Sequence, residues 1–352
     1  MTIMYNIPYH NGVDLANLNF LVTGGAGFIG SHLVEYLLKY GAAKVRVLDN
    51  FSTGFKANIT QFVNHPSFEL LEGDIRDLSA CKKACEGINI VLHQAALGSV
   101  PRSIEDPSTT NEVNINGFLN MLIAVRDAGV ARMVYAASSS TYGDSKELPK
   151  EEDKIGKPLS PYAVTKYVNE IYADVFARTY GLKLIGLRYF NVFGPRQNPN
   201  GAYAAVIPKF ILKLLAHESP LINGTGEYSR DFTFIDNVVQ MNIKAALTTN
   251  DRAVNQVYNV AYGEQTNLNE LAMYLKEDLA ETDELIADVP VLYGPERAGD
   301  IPHSLASINK AIQLLDYKPR FSFQEGLKET VKSYVSDNRF TVAASEHQSA
   351  YS

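Results

Sequence analysis

The chain has 352 residues, of which 46% are hydrophobic and 20% charged, a composition typical of a globular protein of about two domains. Its net charge of −7 argues against a nucleic-acid partner, because proteins that bind nucleic acids usually carry a basic excess. No apolar run reaches the ~20 residues of a membrane span.

The N-terminal segment "MTIMYNIPYHNGVDLANLN" lacks the apolar core of a signal peptide, and we expect it to lie over the first strand. The two cysteines, Cys81 and Cys85, have no further metal ligands near them in the sequence. We therefore expect a cytoplasmic protein with reduced thiols, no metal site and no membrane partner.

Strand and helix patterns alternate through the first half of the chain. Amphipathic segments, several of which end in glycine, indicate helices between short apolar runs. Six of those runs are typical of buried parallel strands: "NFLVTG", "KVRVLDN", "FELLEGD", "NIVLHQAA", "RMVYAAS" and "KLIGLRYF". The pattern predicts an α/β fold with a doubly wound parallel sheet, and a cofactor at the carboxyl ends of its strands.

The alternation ends near Phe193, where loops rich in proline, glycine and asparagine begin. The segments "DFTFIDNVVQMNIKAAL" and "QVYNVAYG" are regular enough to return to the sheet. We predict a Rossmann-type cofactor domain formed by residues 1–192 and about 232–260. Residues from about 193 to 231 and from 261 to 340 would form a smaller α/β substrate domain, and 341–352 a disordered tail.

The stretch "FLVTGGAGFIGSHLVEYLL" places Gly24, Gly27 and Gly30 between a strand and a helix. Glycines allow a tight turn and a close approach of backbone to pyrophosphate, and the helix N-terminus supplies N–H donors. Asp49 ends the second strand, where a carboxylate accepts hydrogen bonds from ribose hydroxyls and repels a 2′-phosphate. This pattern favours NAD over NADP.

A tyrosine and a lysine lie four positions apart in "SPYAVTKYVNE", on one face of a predicted helix. Tyr162 could be a core aromatic residue and Lys166 a solvated neighbour. Alternatively, an ammonium group beside the phenol would lower its pKa from about 10 and make it a useful general base. The glycine-rich loop upstream favours the second interpretation.

The motif T-G-x-x-G-x-x-G followed by Y-x-x-x-K resembles the extended short-chain dehydrogenase/reductase superfamily, in its UDP-sugar 4-epimerase branch. The resemblance extends from about Asn19 to Lys332, and is strongest to UDP-N-acetylglucosamine 4-epimerases. Its other marks are "GDIRD", "HQAA", "SSSTYG", "RYFNVFGPR", "RDFTFIDNV" and "RAGD".

The resemblance implies a catalytic set of Ser138, Tyr162 and Lys166, with Tyr162 as the base and Lys166 holding the nicotinamide ribose. Related 4,6-dehydratases carry two acidic residues where this chain has Ser139 and Ser140, and related UDP-glucuronate decarboxylases carry a glutamate at the second of these positions. A hydroxyl cannot perform the acid–base work of elimination. The implied reaction is therefore NAD-dependent 4-epimerisation of a UDP-hexose through a transient 4-keto sugar.

The family's binding positions carry over to two sets of residues. The implied NAD-binding set is Gly24, Gly27, Phe28, Ile29, Gly30, Asp49, Asn50, Ser52, Gly54, Asp74, Ile75, Gln94, Ala95, Ala96, Asn114, Tyr162, Lys166 and Val192. The implied UDP-sugar-binding set is Ser99, Ser138, Ser139, Ser140, Tyr162, Asn191, Val206, Ile222, Asn223, Arg230, Arg297, Asp300 and Ser304.

One position of the second set bears on the size of the sugar. Epimerases that refuse N-acetylated sugars carry a tyrosine where this chain has Ser304, so a UDP-GlcNAc to UDP-GalNAc interconversion is expected. The alternatives are a UDP-glucose/UDP-galactose or UDP-uronic-acid 4-epimerase, with Arg102 as a source of charge for the uronate. A protein of another class, an NAD-binding regulatory or scaffold protein without catalysis, is also possible. The family usually forms homodimers through two helices of each subunit.

Overall fold

The structure is a computed structural model that describes residues 4–199, 205–296 and 302–337. Within these ranges no helix combines the length and the apolar character needed to cross a bilayer. The strands in chain order are β1 (Asn19–Thr23), β2 (Lys44–Asp49), β3 (Phe68–Glu72), β4 (Ile90–His93), β5 (Arg132–Ser138), β6 (Leu184–Tyr189), β7 (Val192–Phe193), β8 (Leu221–Asn223), β9 (Ser229–Arg230), β10 (Thr233–Phe234), β11 (Gln256–Val260), β12 (Thr266–Asn267) and β13 (Leu292–Gly294).

Seven of these strands form one parallel sheet in the order β11-β6-β5-β4-β1-β2-β3. The six strands expected from the sequence are all present in it. The seventh, β11, comes from the predicted return segment and pairs with β6. The doubly wound parallel sheet is thus confirmed, and its order changes direction beside β1, as in Rossmann folds.

Helices cover both faces of the sheet. They are α1 (Phe28–Lys39), α2 (Leu78–Cys85), α3 (Val100–Glu105), α4 (Pro107–Asn111), α5 (Gly117–Asp127), α6 (Pro161–Tyr180), α7 (Val206–Leu215), α8 (Ile235–Leu247), α9 (Leu268–Ala280), α10 (Asn309–Leu315) and α11 (Phe323–Ser336). A π-helical turn, Glu112–Asn116, joins α4 to α5, and a 3-10 turn, Ser139–Tyr142, follows β5.

The core divides into a layer on each side of the sheet. One layer is built from α1 and α8 and extends to α7, α9 and α11, with Leu33 and Val238 fully buried. The other is built from α2, α5 and α6. It contains Cys81 and Cys85 as the free thiols that were expected. Burial of apolar side chains on both faces explains why the strands are continuous hydrophobic runs.

The other strands of the described chain form three short pairs, β7 with β10, β8 with β13, and β9 with β12. They lie in or beside the segments predicted to bind substrate. The division into two domains stays a prediction.

The N-terminal extension lies against α1 and α8. The Tyr5 backbone N–H donates to Asp236 of α8 at 2.9 Å, and its hydroxyl is 2.6 Å from Nδ1 of His32 in α1. Tyr9 donates a second hydrogen bond to Asp236. The expected position over β1 was wrong, because β1 is central, paired on both edges, and α1 packs against it.

Candidate active site

The glycine-rich turn between β1 and α1 lies at the carboxyl edge of the sheet, where its backbone is closely packed. Gly24 has a φ of +67°, and a Cβ on it would lie 2.8 Å from the backbone nitrogen of Ala95. A Cβ on Gly30 would lie 2.1 Å from the Gly24 carbonyl oxygen. Because only glycine fits at both positions, the start of α1 can lie directly against the turn. Its free N–H groups suit an anionic ligand such as a pyrophosphate.

Asp49 lies at the end of β2, next to this turn. One carboxylate oxygen accepts from the backbone N–H of Ala26 at 2.9 Å, and the other from that of Phe51 at 2.8 Å. Burial raises the pKa of Asp49, while these two hydrogen bonds lower it. Each oxygen has further lone pairs, so the carboxylate can still accept from a ribose hydroxyl.

Asn50 and Asp74 close the same end of the site. The Asn50 amide donates to Asp74 at 2.8 Å, and the Arg76 guanidinium pairs with Asp74 at 2.7 Å. The hydrogen bond from Arg76 lowers the pKa of Asp74 to about 2, so this carboxylate is ionised at neutral pH. The ends of β2 and β3 are thereby joined.

Tyr162 and Lys166 lie in the first turns of α6. The helix starts after Ser160, whose hydroxyl accepts from the Ala163 N–H at 3.2 Å. Tyr162 and Lys166 follow one turn apart on the same face. Lys166 is 4% exposed, and its Nζ donates to the carbonyl of Ala136 at 2.8 Å, which ties α6 to β5.

Ser138 ends β5 opposite Tyr162. Its Oγ accepts hydrogen bonds from the backbone N–H and the hydroxyl of Ser140, at 3.2 and 2.9 Å. Since these bonds use the lone pairs of Oγ, the Ser138 proton is available for donation to a third group.

Burial has the largest effect on the pKa values of Tyr162 and Lys166. Burial raises the pKa of the Tyr162 phenol, and a hydrogen bond with Ser138 opposes that rise. Burial also lowers the pKa of Lys166 to about 8, against an opposing effect of Glu170. The expected lowering of the phenol pKa by Lys166 is not seen. The ammonium group is held at the Ala136 carbonyl, and Ser138 is the group that favours the phenolate.

One cleft of about 470 Å³ contains most of these groups. It runs along the carboxyl ends of the strands, from the loops after β2 and β3 to the catalytic candidates at β5 and α6. The predicted site residues that line it are Gly24, Gly27, Phe28, Ile29, Gly30, Asp49, Asn50, Ser52, Gly54, Asp74, Ile75, Gln94, Ala95, Ala96, Ser138, Tyr162, Lys166 and Val192.

Asn114 is the predicted cofactor-binding residue that does not line the cleft. It is 2% exposed, and its side chain bonds both backbone polar groups of Leu97, at 2.8 and 3.1 Å. It also donates to Thr165 of α6 at 3.1 Å. Asn114 therefore supports the loop that forms one wall of the cleft.

Tyr189 and Gln197 line the cleft and were missed in the sequence analysis. The Tyr189 hydroxyl donates to Gln94 at 3.0 Å and receives a hydrogen bond from Asn242 at 3.0 Å. Tyr189 lies in the quoted "RYFNVFGPR" segment, and Gln197 comes immediately after that segment. The signal was that this segment begins at the carboxyl end of β6, where ligand-binding residues collect.

The residues predicted to bind the UDP-sugar are spread over more of the structure than the cofactor-binding residues that line the cleft. Ser139 and Ser140 lie in the turn after β5, and Ser99 caps α3 by accepting from the Arg102 N–H at 3.2 Å. Val206 begins α7, and Ile222 and Asn223 lie in β8, where Ile222 is 1% exposed.

Asn191, Arg230 and Ser304 are linked around the short strand β9. The Asn191 amide donates to the carbonyl of Asp231 at 3.2 Å. The Arg230 guanidinium donates to the carbonyl of Ser229 at 2.9 Å, and that same carbonyl accepts from the Ser304 N–H at 3.1 Å. Arg297 and Asp300 lie outside the described residues.

Comparison with known proteins identifies the family. The family model described as "NAD dependent epimerase/dehydratase family" matches residues 20–261. A putative UDP-glucose 4-epimerase from Methanocaldococcus jannaschii is 37% identical over 321 residues, 91% of this chain and 99% of that protein.

Two solved structures show the same fold. A UDP-N-acetylglucosamine 4-epimerase from Methanobrevibacter ruminantium, in complex with UDP-N-acetylmuramic acid, is 40% identical with a TM-score of 0.84, covering 91% of this chain and 98% of that one. A UDP-glucose 4-epimerase from Thermotoga maritima, with UDP-glucose, is 36% identical with a TM-score of 0.83, covering 90% and 99%.

The chain belongs to the NAD-dependent epimerase/dehydratase family. Its resemblance to the UDP-sugar 4-epimerase branch of the extended short-chain dehydrogenases/reductases is confirmed, and NAD is its cofactor. The cleft suits this cofactor, since it has a backbone cradle that a Cβ at Gly24 or Gly30 would fill and a carboxylate at the end of β2.

Proposed function

We propose that this protein is a UDP-sugar 4-epimerase whose preferred reaction is the interconversion of UDP-GlcNAc and UDP-GalNAc. The observation that carries the proposal is the convergence of Ser138, Tyr162 and Lys166 on the cleft that the glycine turn also lines. The similarity to proteins described as UDP-sugar 4-epimerases supports the reaction class.

Each side chain has a distinct part in this proposal. Bound NAD supplies a hydride acceptor and donor for C4 of the sugar. Tyr162, as the phenolate, takes the proton of the 4-hydroxyl and becomes the neutral phenol. Lys166, whose Nζ is held at the Ala136 carbonyl, would bind the nicotinamide ribose. With the sugar bound, Ser138 would turn its one hydroxyl proton from Tyr162 toward the reacting sugar oxygen. The 4-keto sugar then turns its other face, and Tyr162 returns the proton as C4 is reduced.

The absence of acidic side chains at two positions favours epimerisation over elimination. Ser139 and Ser140 follow β5 directly, where a dehydratase would need a carboxylic acid and a carboxylate. Removal of water across two carbons requires such acid–base groups at neutral pH. The hydroxyl of Ser140 instead bonds Ser138 at 2.9 Å.

Binding of the UDP portion is assigned to residues from the second half of the chain. Arg230 and Arg297 would bind the diphosphate, and Asn191 would add a polar contact. Asp300 would accept from the ribose, and uracil would lie near Ile222 and Asn223. Val206 and Ser99 complete the proposed set.

Ser304 supports an acetamido substrate. It is half-buried, and its backbone N–H bonds the carbonyl of Ser229, so its Cβ has a fixed position beside β9. A serine leaves more space there than the tyrosine of epimerases that refuse N-acetylated sugars. The 2-acetamido group would occupy this space.

The proposal is tested with purified protein, UDP-GlcNAc or UDP-glucose, and no added cofactor, with the product sugars resolved. UDP-GalNAc should form from UDP-GlcNAc without net NADH production. Ser304→Tyr should reduce kcat/KM for UDP-GlcNAc roughly 10- to 100-fold more than for UDP-glucose, because it fills the pocket.

Ser304→Ala is the matched control, since it keeps the space and should keep the substrate preference. Equal losses for both sugars in Ser304→Tyr would contradict the pocket-size argument. A wild-type protein that turns over only UDP-glucose or only a UDP-uronic acid would favour those alternatives.

We also propose that two copies associate through α5 and α6. One face of α6 exposes Val164, Ile171 and Val175 by 46%, 48% and 41%, opposite the face that carries Tyr162 and Lys166. Light scattering should give the mass of a homodimer.

The cytoplasmic location stays a prediction.

A further inference from the structure

Asn259 is a buried polar residue that the proposed mechanism does not use. It lies in β11, at the edge of the seven-stranded sheet, and is fully buried. Its backbone N–H donates to the Glu152 carboxylate at 3.0 Å. The side-chain amide has two N–H donors and one acceptor oxygen, and such groups are bonded to neighbouring parts of the structure when they are buried.

Three hydrogen bonds determine the orientation of the Asn259 amide. Oδ1 accepts from the Tyr142 hydroxyl at 2.6 Å. Nδ2 donates to the carbonyl oxygens of Lys150 and Ser307, at 2.9 and 3.0 Å. Turning the amide over would place Oδ1 against two carbonyl oxygens, which are also acceptors. The amide therefore has one favourable orientation, and in it Asn259 joins three separate parts of the chain.

Tyr142 belongs to the catalytic side of the site. It ends the 3-10 turn Ser139–Tyr142, which starts directly after Ser138, and it is 2% exposed. The turn is held to Ser138 at two points, because Thr141 donates to the Ser138 carbonyl at 2.5 Å and Ser140 donates to its Oγ at 2.9 Å. The bond from Tyr142 to Oδ1 thus ties the turn beside the Ser138 hydroxyl to β11.

Ser307 belongs to the substrate side of the site. It lies in segment 302–308, which also contains Ser304. The Ser307 N–H donates to the carbonyl of Lys150, a loop residue, at 2.9 Å. To this loop contact the Asn259 amide adds a bond from a strand of the main sheet. Segment 302–308 is thereby tied to the same amide as the catalytic turn.

We propose that Asn259 is a positioning residue that sets the distance between the Ser138 turn and segment 302–308, and so presents Ser304 to the bound sugar. Without the amide, the segment would keep its loop contacts but lose its bond to the sheet, so the conformation that binds the sugar would be less populated. Apparent affinity falls with that population, while the chemistry of correctly bound substrate is unchanged. The inference rests on the proposed UDP-sugar site, but not on which UDP-sugar is preferred.

The test compares Asn259→Ala with Asn237→Ala. Asn237 of α8 is also fully buried, and its amide also makes three hydrogen bonds, but to the backbone of Arg320 and Phe321. Asn259→Ala should raise KM for the UDP-sugar that the wild type turns over by roughly tenfold, with kcat and bound NAD within about twofold of wild type. Asn237→Ala should lower the thermal unfolding temperature similarly and leave KM unchanged.

Tyr142→Phe tests the same bonds if Asn259→Ala folds poorly. It removes one hydroxyl, keeps the ring, and leaves the Asn259 bonds to Lys150 and Ser307 in place. KM should rise roughly threefold, because the turn is then no longer tied to the amide. Since both changes act on one set of bonds, Tyr142→Phe should add less than about twofold to KM when Asn259→Ala is already present.

Calorimetric titration with UDP-GlcNAc gives a dissociation constant for each variant, so the comparison does not require turnover. A wild type that neither binds nor turns over a UDP-sugar would overturn the proposed function and this inference together. The inference alone is overturned if Asn259→Ala and Asn237→Ala change KM equally, if Asn259→Ala lowers kcat and leaves KM unchanged, or if Tyr142→Phe has the wild-type KM.

Discussion

The cofactor side and the substrate side of the site differ in how their residues are held. On the cofactor side, Asp49, Gln94 and Ser138 lie at the ends of neighbouring parallel strands or directly after them, so the sheet itself spaces them. On the substrate side, Arg230 and Ser304 belong to short segments from distant parts of the chain that bond each other's backbone.

The comparison shows why one enzyme family can keep a cofactor while its sugars differ. Cofactor binding depends on the backbone geometry of the glycine turn, and few substitutions of its glycines leave that geometry intact. The substrate side depends on side chains carried by loops, where a substitution changes the shape of a pocket without disturbing a core. The following experiments test this contrast, from the largest expected effect to the smallest.

The largest effect is expected for Tyr162→Phe, which removes the proposed base at the boundary of the two sides. Turnover of the UDP-sugar should fall at least about 1,000-fold, because general acid–base catalysis is lost. Bound NAD and the thermal unfolding temperature should stay near wild-type values. Activity is measured by product formation, and cofactor content by absorbance of the denatured protein.

Retained turnover in Tyr162→Phe would contradict the assignment of the base. A wild-type protein that binds NAD and a UDP-sugar without turnover would instead favour the regulatory or scaffold alternative.

A backbone change on the cofactor side should have the next largest effect. In Gly30→Ala the new methyl group would lie 2.1 Å from the Gly24 carbonyl oxygen, so the turn and α1 must separate. We expect a loss of unfolding free energy of about 1–3 kcal/mol and loss of bound NAD. Urea denaturation and nucleotide content measure the two effects.

Gly98→Ala is the matched control for Gly30→Ala. Gly98 also lines the cleft, but a Cβ there meets no atom within 4 Å among the described residues. The control should retain both stability and NAD. If both variants behave alike, the backbone cradle is less restrictive than its geometry indicates.

The smallest effect concerns Asp231, which holds substrate-side loops together. Its carboxylate accepts from the backbone N–H groups of Tyr262, Gly263 and Ala306 at 3.0, 3.1 and 3.2 Å. Burial raises the pKa of Asp231 to about 7 in the folded protein. The folded state therefore binds the proton more tightly than the unfolded state, and the contribution to stability is lost as pH rises through about 7.

The loss runs from the pKa of an unfolded aspartate, about 4, up to about 7, so thermal unfolding of the wild type between about pH 4 and about pH 8 should show a decrease that levels off above about pH 7. Asp231→Asn should flatten the dependence, and the exposed Asp153→Asn should leave its slope unchanged. An unchanged slope in Asp231→Asn would show that another group titrates.

Much of the cofactor site could be predicted because its signals are local. Gly24, Gly27 and Gly30 have a spacing that serves one kind of turn, and Asp49 ends a recognisable strand. The helical period alone predicted that Tyr162 and Lys166 lie on the same face of a helix. The roles proposed for these residues stay predictions, but their placement around one cleft follows from the parallel sheet.

Other features depend on residues far apart in the chain. The direction of the Gln197 amide depends on Val192, and its backbone is held by Tyr334 from the last described helix. Asn114 bonds the wall of the cleft instead of lining it, because its amide meets Leu97 and Thr165. The N-terminal extension lies on α1 and α8, where Asp236 accepts from it.

The amino-acid sequence alone determined the order of the first six sheet strands and the main helices between them, the glycine turn, the tyrosine–lysine pair and the family. These depend on periodicity and on residues within one or two turns of each other. Only the tertiary structure decided which side chains face the cleft, which pKa values shift and which polar atoms remain unpaired, because burial and hydrogen bonding are set by neighbours that the sequence does not place side by side.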